Sequence, residues 1–348
     1  MQALVYLGPH KKVLQERAMP VVIAPTDVVV RVTKTTICAT DLHIVAGHVS
    51  SCATGRVLGH EGVGVVTQVG AAVTRFRCDE RVLISCITAC GACEYCLRSS
   101  FSRCFHGGWL LGNKIDGTQA EFVRVPYADT SLYHIPAGVD EEALVMLSDM
   151  LPTAYECGVL NGQVKSGSTI AVVGAGPGGL AVLVAAQLHA PLAVLVIDNN
   201  AERLAMAMRL GATAVVDGRN GQAVADIMKL TGGRGVDSAI DAVGMVATFE
   251  LCEDIIAVGG TIANVAVHGT KADLHNEYRW DRSVTITTTL VDTVSTPLLL
   301  KMIQTRKLDV AEMITHRFPL RRVLDAYATF ADTAECCALK IIIESAAA

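Results

Sequence analysis

Four cysteines, Cys90, Cys93, Cys96 and Cys104, fall within fifteen residues. One short loop can wrap four thiolates around a tetrahedral ion and leave no open position, which describes a structural zinc site. An iron–sulfur cluster fits less well: the usual bacterial run has three residues before its last cysteine and a proline after it, whereas seven residues precede Cys104 and Phe105 follows it. A second group of donors comes earlier, in Cys38-Ala-Thr40-Asp41-Leu-His43 and Gly59-His60-Glu61-Gly62. Thiolate and imidazole are zinc ligands, and a hydroxyl or imidazole can pass a proton near pH 7, but each motif alone is ambiguous.

A third motif binds phosphate in other settings. The strand-like Ile170–Val173 runs into Gly174-Ala-Gly176-Pro177-Gly178-Gly179, with a helix expected from about Leu180. Gly174 permits the tight turn, Gly176 lets backbone approach a pyrophosphate, and Gly179 lets the helix pack on the strand. The phosphates then meet the free N–H groups of the helix N-terminus. The following strand ends at Asp198, spaced so that its carboxylate can accept ribose hydroxyls and repel a 2′-phosphate, which points to NAD over NADP. Arg203 counts the other way if it lies near the ribose, and otherwise reads as a solvated helix-face charge. The plain alternative is packing glycines with Asp198 as a helix cap; strand, glycines, helix and acid in one register favour the dinucleotide.

These groups need elements to hold them. From Met1 to about Met150 the chain shows short β-rich runs such as Asp27-Val-Val-Val-Arg-Val and Glu61-Gly-Val-Gly-Val-Val, separated by glycine and polar turns, which predicts a mainly antiparallel β domain. From about Thr169 to Leu290 apolar strands (Ile170-Ala-Val-Val, Ala193-Val-Leu-Val-Ile, Val236-Asp-Ser-Ala-Ile, Thr261-Ile-Ala-Asn-Val) alternate with helix-length stretches, which predicts a parallel sheet covered on both faces. The tail offers helices near Thr296–Thr305 and Arg321–Ala331 and the strand-like Leu339-Lys-Ile-Ile-Ile, expected to return to the first domain.

The totals exclude several roles. The 348 residues are 51% hydrophobic and 18% charged, enough apolar material for two cooperating domains. Net charge is −5, with no basic block of the kind that follows a phosphate backbone, so nucleic acid is not an expected partner. The start carries Lys11, Lys12, Glu16 and Arg17, unlike a secretory signal, and cytoplasmic location is expected. Ile170–Ile197 is long and apolar, but its glycines, prolines, Gln187 and His189 suit a buried strand, helix and strand better than a membrane span. In a reducing compartment, clustered cysteines mean metal or catalysis before disulfides.

Taken in order, the motifs make the chain resemble the zinc-containing medium-chain alcohol dehydrogenases over essentially its full length. The resemblance implies an α/β fold, a Rossmann doubly wound parallel sheet in residues 151–293 plus a β-rich GroES-like catalytic domain in residues 1–150 and 294–348. It implies one catalytic and one structural zinc, with NAD as cofactor. The catalytic ligands carried over are Cys38, His60 and Asp149; Ser148-Asp149-Met150 lies twenty-five residues before Gly174. Thr40 and His43 would relay the proton with the nicotinamide ribose, and Asp41 would orient His60. Glu61 is either an exchangeable zinc ligand or an outer partner. Val265 and Lys340 would meet the cofactor.

The aspartate at 149, with Gly107-Gly108-Trp109 and Asp116-Gly117, is similar to the secondary-alcohol branch, where Trp109 would line the substrate pocket; its alternative is a core tryptophan. Ala39, Gly178 and Asp79 depart from the usual pattern without removing a ligand. Three ligands leave a fourth position where an alcohol can bind and lose its proton, followed by hydride transfer to nicotinamide. The expected substrate is a small secondary or primary alcohol, or its ketone or aldehyde in reverse. A homo-oligomer is expected, tetramer before dimer, with no membrane partner. The rival readings are a polyol or threonine-type dehydrogenase and a catalytically silent zinc- and NAD-binding relative.

Overall fold

The computed structural model describes residues 1–332 and 338–345, which form two compact units: Met1–Pro152 with Val291–Ala348, and Thr153–Leu290. The first is β-rich. Its larger sheet runs Ile314–Pro319, Lys340–Glu344, Val28–Thr36, Gly62–Val69, Arg81–Ile84, Leu132–His134, with Phe122–Val125 paired on Val28–Thr36. All pairings are antiparallel except that of the two C-terminal strands. Val28, Val30, Val32, Val66, Val82 and Ile84 are buried together in one core, as alternating apolar strands require. A two-stranded hairpin, Gln2–Gly8 with Lys11–Glu16, completes the strands of this unit.

Register decides where the chemistry goes. Thr35 pairs with Gly62, Gly62 with Ile84, and Ile342 with Thr36. The segments carrying Cys38, His60–Glu61, Ser85–Cys86 and Lys340 therefore all leave or enter the sheet at one end. Asp79 adopts the left-handed conformation, φ 70°, that makes glycine usual at such a turn.

The second unit is a six-stranded parallel sheet in the order Ala214–Asp217, Ala193–Asp198, Thr169–Val173, Val236–Asp241, Ile256–Asn264, Thr285–Thr288. This is the 3-2-1-4-5-6 order of the doubly wound Rossmann fold, with its switch point between Thr169–Val173 and Val236–Asp241. Thr169–Val173 is buried along its whole length, which is why it reads as a continuous apolar run and not as an alternation. The long apolar stretch beginning there is strand, helix Pro177–Ala186, a short 3-10 turn and strand. Among the described residues no helix is long and apolar enough to cross a membrane. The glycine-loop helix starts at Pro177, three residues before the expected Leu180, because the fixed proline φ suits the first helical position.

Candidate functional site

Cys38 Sγ, one His60 ring nitrogen and one Asp149 oxygen all lie within 4.8 Å of one another. His60 Nε2 is 3.1 Å from Asp149 Oδ2, and Cys38 Sγ is 3.7 Å from the same oxygen. Zinc bonds of about 2.0–2.3 Å set tetrahedral edges of about 3.3–3.8 Å, so the three atoms already stand near the corners that zinc needs. One soft, one borderline and one hard donor suit that ion.

The groups around these ligands hold them in place. Asp41 Oδ2 accepts the Cys38 amide at 2.9 Å and the Gln119 side-chain amide at 3.1 Å, while Oδ1 faces His60 Nδ1 at 3.6 Å. Tyr327 donates to Gln119 Oε1 at 2.9 Å. Glu61 is held by Lys340, whose Nζ lies 3.0 and 2.7 Å from its two oxygens. With Lys340 on both its oxygens, Glu61 stands as the partner of a buried cation beside His60, and Lys340 as the partner of a carboxylate.

Charges inside the site oppose one another. Burial pushes the Cys38 thiol up, against the pull of His60, and raises Asp41 and Glu61 as well. Burial also works against charge on His60, yet its hydrogen bonds to Asp149 and Cys38 and the nearby Asp41 outweigh this and hold it well above 6.5. Filling the site with a cation would therefore release protons from the thiol and imidazole.

Helix Ala39–Val45 carries both relay candidates. Thr40 Oγ1 is 3.6 Å from Cys38 Sγ, and His43 Nδ1 is 3.1 Å from His48 Nδ1. Trp109 meets His60 edge-on with ring centroids 5.9 Å apart and packs against the core cluster around Leu58 and Tyr327. Its Nε1 is buried without a hydrogen-bond partner. The indole thus touches a ligand and also fills core, so both alternatives for it describe part of its surroundings.

In the cysteine loop, sulfur separations of 3.5 to 3.9 Å among Cys90, Cys93, Cys96 and Cys104 match the roughly 3.8 Å edge of a zinc–thiolate tetrahedron. Backbone amides of Cys96 and Phe105 help to push Cys93 down to about 6, while burial pushes Cys96 up to about 12.

In the second unit a Cβ on Gly179 would run into the Gly174 carbonyl, and one on Gly174 into Val243. Gly174 also has φ 101°. A Cβ on Gly176 would meet only Arg203 Nη1, at 3.8 Å, and one on Gly178 would meet nothing within 4 Å. The chain's own packing therefore does not require glycine at 176, as expected where phosphates would approach the backbone, and a side chain at 178 would find no close contact at its Cβ. Asp198 accepts the Ala175 amide at 2.6 Å and the Asn200 amide at 2.8 Å. Its carboxylate braces the glycine loop and still has lone pairs to offer. Arg203 is half-buried, and its Nε is buried without a hydrogen-bond partner. Val265 is half-buried, and its amide donates to the carbonyl of Asp241, two residues before Val243, at 2.9 Å.

Cys86, Gln119 and Tyr327 were absent from the sequence reading. Only Cys86 left a signal there, as a cysteine just beyond a strand and just before the four-cysteine run.

Residues 24–137 match the family described as Alcohol dehydrogenase GroES-like domain, and residues 165–305 that described as Zinc-binding dehydrogenase. The chain is 34% identical over 353 residues to an alcohol dehydrogenase of Cupriavidus necator, covering 95% of each chain. It is 32% identical to an NADP-dependent isopropanol dehydrogenase of Entamoeba histolytica, over 94% of this chain and 91% of that one. The solved structure of zinc dependent alcohol dehydrogenase 2 from Streptococcus pneumonia, in its apo form, is 44% identical, with TM-score 0.96 over 100% of this chain and 99% of its own. With its GroES-like and Rossmann units, the chain belongs to the zinc-containing medium-chain alcohol dehydrogenases.

Proposed function

We propose that the protein is a zinc-dependent, NAD-linked dehydrogenase that interconverts a small secondary or primary alcohol with its ketone or aldehyde. The observation that carries this reading is the convergence of Cys38, His60 and Asp149 at zinc-ligand separations. When bound, zinc supplies Lewis-acid lowering of the alcohol's pKa, and NAD supplies the carbon that accepts hydride.

The chain's own groups do the rest. Asp41, held by the Gln119 amide, faces the ring of His60 at 3.6 Å, and the Lys340–Glu61 pair balances buried charge beside it. Thr40, next to Cys38, is placed to accept the alcohol proton, and His43, on the same helix, offers an imidazole that would pass it on toward solvent. Trp109 presents an apolar wall next to His60, which suits simple alcohols; a polyol would need further polar partners. Asp198 supports NAD, since its charge repels a 2′-phosphate, whereas the name of the Entamoeba relative makes NADP the second reading.

A homo-oligomer is supported by the largely exposed edge strand Thr285–Thr288 and the exposed Tyr278, Trp280 and Leu290 near it in sequence. The functional reading is tested by a spectrophotometric screen of primary, secondary and polyhydric alcohols with both nicotinamide cofactors. Oxidation of secondary alcohols with NAD is expected; turnover confined to polyols, or to NADP, refutes the respective part.

A further inference from the structure

Cys86 belongs to none of the motifs used above, yet its thiol lies inside the ligand cluster. It follows strand Arg81–Ile84, and its amide donates to the Ser148 carbonyl at 2.9 Å. Ser148 Oγ in turn bridges the Gly62 amide at 3.0 Å and the Gly62 carbonyl at 3.2 Å. This lacing sets the 2% exposed Cys86 against Asp149, where Sγ donates to Oδ1 at 3.5 Å. The two oxygens of Asp149 are thereby divided: Oδ2 faces His60 and Cys38, and Oδ1 faces Cys86.

We propose that Cys86 is a positioning residue for the third zinc ligand, its S–H holding Asp149 to coordination through one oxygen so that a position stays open for substrate. The proposal rests on the zinc reading above. Carboxylates bind metals through one oxygen or two. A thiolate, an imidazole and both carboxylate oxygens would already make four donors, so that a water or alcohol could join only as a fifth, crowding the position that a catalytic site keeps open. A thiol is a weak donor, but burial removes competing water and the Ser148 contacts fix its aim. Hydrogen bonds to zinc ligands are worth roughly 10–100-fold in metal affinity, and a weak donor belongs near tenfold.

The test uses the zinc-loaded full chain and its Cys86→Ala, Cys86→Val and Cys86→Ser variants. Chelator titration follows zinc release, with the four-cysteine zinc of the same chain as internal reference, and cobalt(II) exchanged into the catalytic site reports coordination through its visible absorption. Ala and Val should release catalytic zinc about tenfold more readily and show the weaker bands of a five-coordinate ion, while Ser restores both. Val, which fills the volume without a donor, separates positioning from packing. The proposal is overturned if Ala and Val keep the parent's zinc and colour, if Ala alone fails, or if Ser fails as they do. A parent protein that takes no zinc at Cys38, His60 and Asp149 refutes the functional reading instead, and shows this before any variant is made.

Discussion

Lys340→Met tests the electrostatics of the site most sharply. The Lys340 and Glu61 side chains are 3% and 1% exposed and meet at 2.7 Å. Methionine keeps most of the stem's volume and removes the charge. Glu61 is then left buried, its carboxyl pKa already raised by burial and Lys340 the main influence holding it down. An isolated carboxylate in such a place takes a proton sooner than stay charged. That proton costs about 1.36 kcal/mol for each unit by which the pH exceeds the unfolded value of 4.5, or about 3.4 kcal/mol at pH 7. At pH 5 the same arithmetic leaves about 0.7 kcal/mol. The sign follows from a group neutral when folded and ionised when unfolded: the penalty grows as pH rises above 4.5 and vanishes below it. The pH 7 figure lies in the range of roughly 3–5 kcal/mol seen when one partner of a buried pair is removed. Urea unfolding of parent and variant at pH 5 and pH 7, followed by tryptophan fluorescence, measures both differences. A loss below about 1 kcal/mol at pH 7, or one that does not shrink at pH 5, refutes the reasoning. Adding Glu61→Leu should recover most of the loss, because no buried charge is then left alone.

Further outcomes follow from other parts of the molecule. Asp198→Asn keeps an acceptor for the Ala175 amide and removes the charge, so NADP use should rise at least about tenfold relative to NAD in kcat/KM; an unchanged ratio removes the ribose role. Burial and the neighbouring His48 both push the His43 pKa below 6.5, so alcohol oxidation should persist as pH falls past 6.5 and then decline as His43 gains its proton. His48→Gln should move that decline to higher pH, and a profile that stays put removes the coupling between the two rings. Metal analysis should find about two zinc per chain; one after mild preparation undercuts one of the two sites.

The sequence carried donor types and spacing well, and long-range partnership poorly. Cys90, Cys93, Cys96 and Cys104 needed only local geometry, so their grouping was legible from spacing alone. The glycine loop was legible in the same way, although the helix begins at Pro177 and Asp198 also braces the loop. Cys38, His60 and Asp149 were reached through resemblance, because the register of three strands and a later turn must first bring them together. Lys340 and Glu61 are 279 residues apart, and no local pattern could tell a partner for a carboxylate from a partner for a cofactor. Gln119 and Cys86 escaped for the same reason: each acts by donating to a ligand or its support, which only packing reveals.

The proposed function stands on one ion shared by Cys38, His60 and Asp149. Replacing the sulfur in Cys38→Ser and measuring zinc content, NAD binding and turnover on one preparation tests it directly. The expected outcome is one zinc lost, NAD binding retained and turnover abolished. A variant that oxidises alcohols at the parent's rate, or that keeps its full zinc complement, contradicts it.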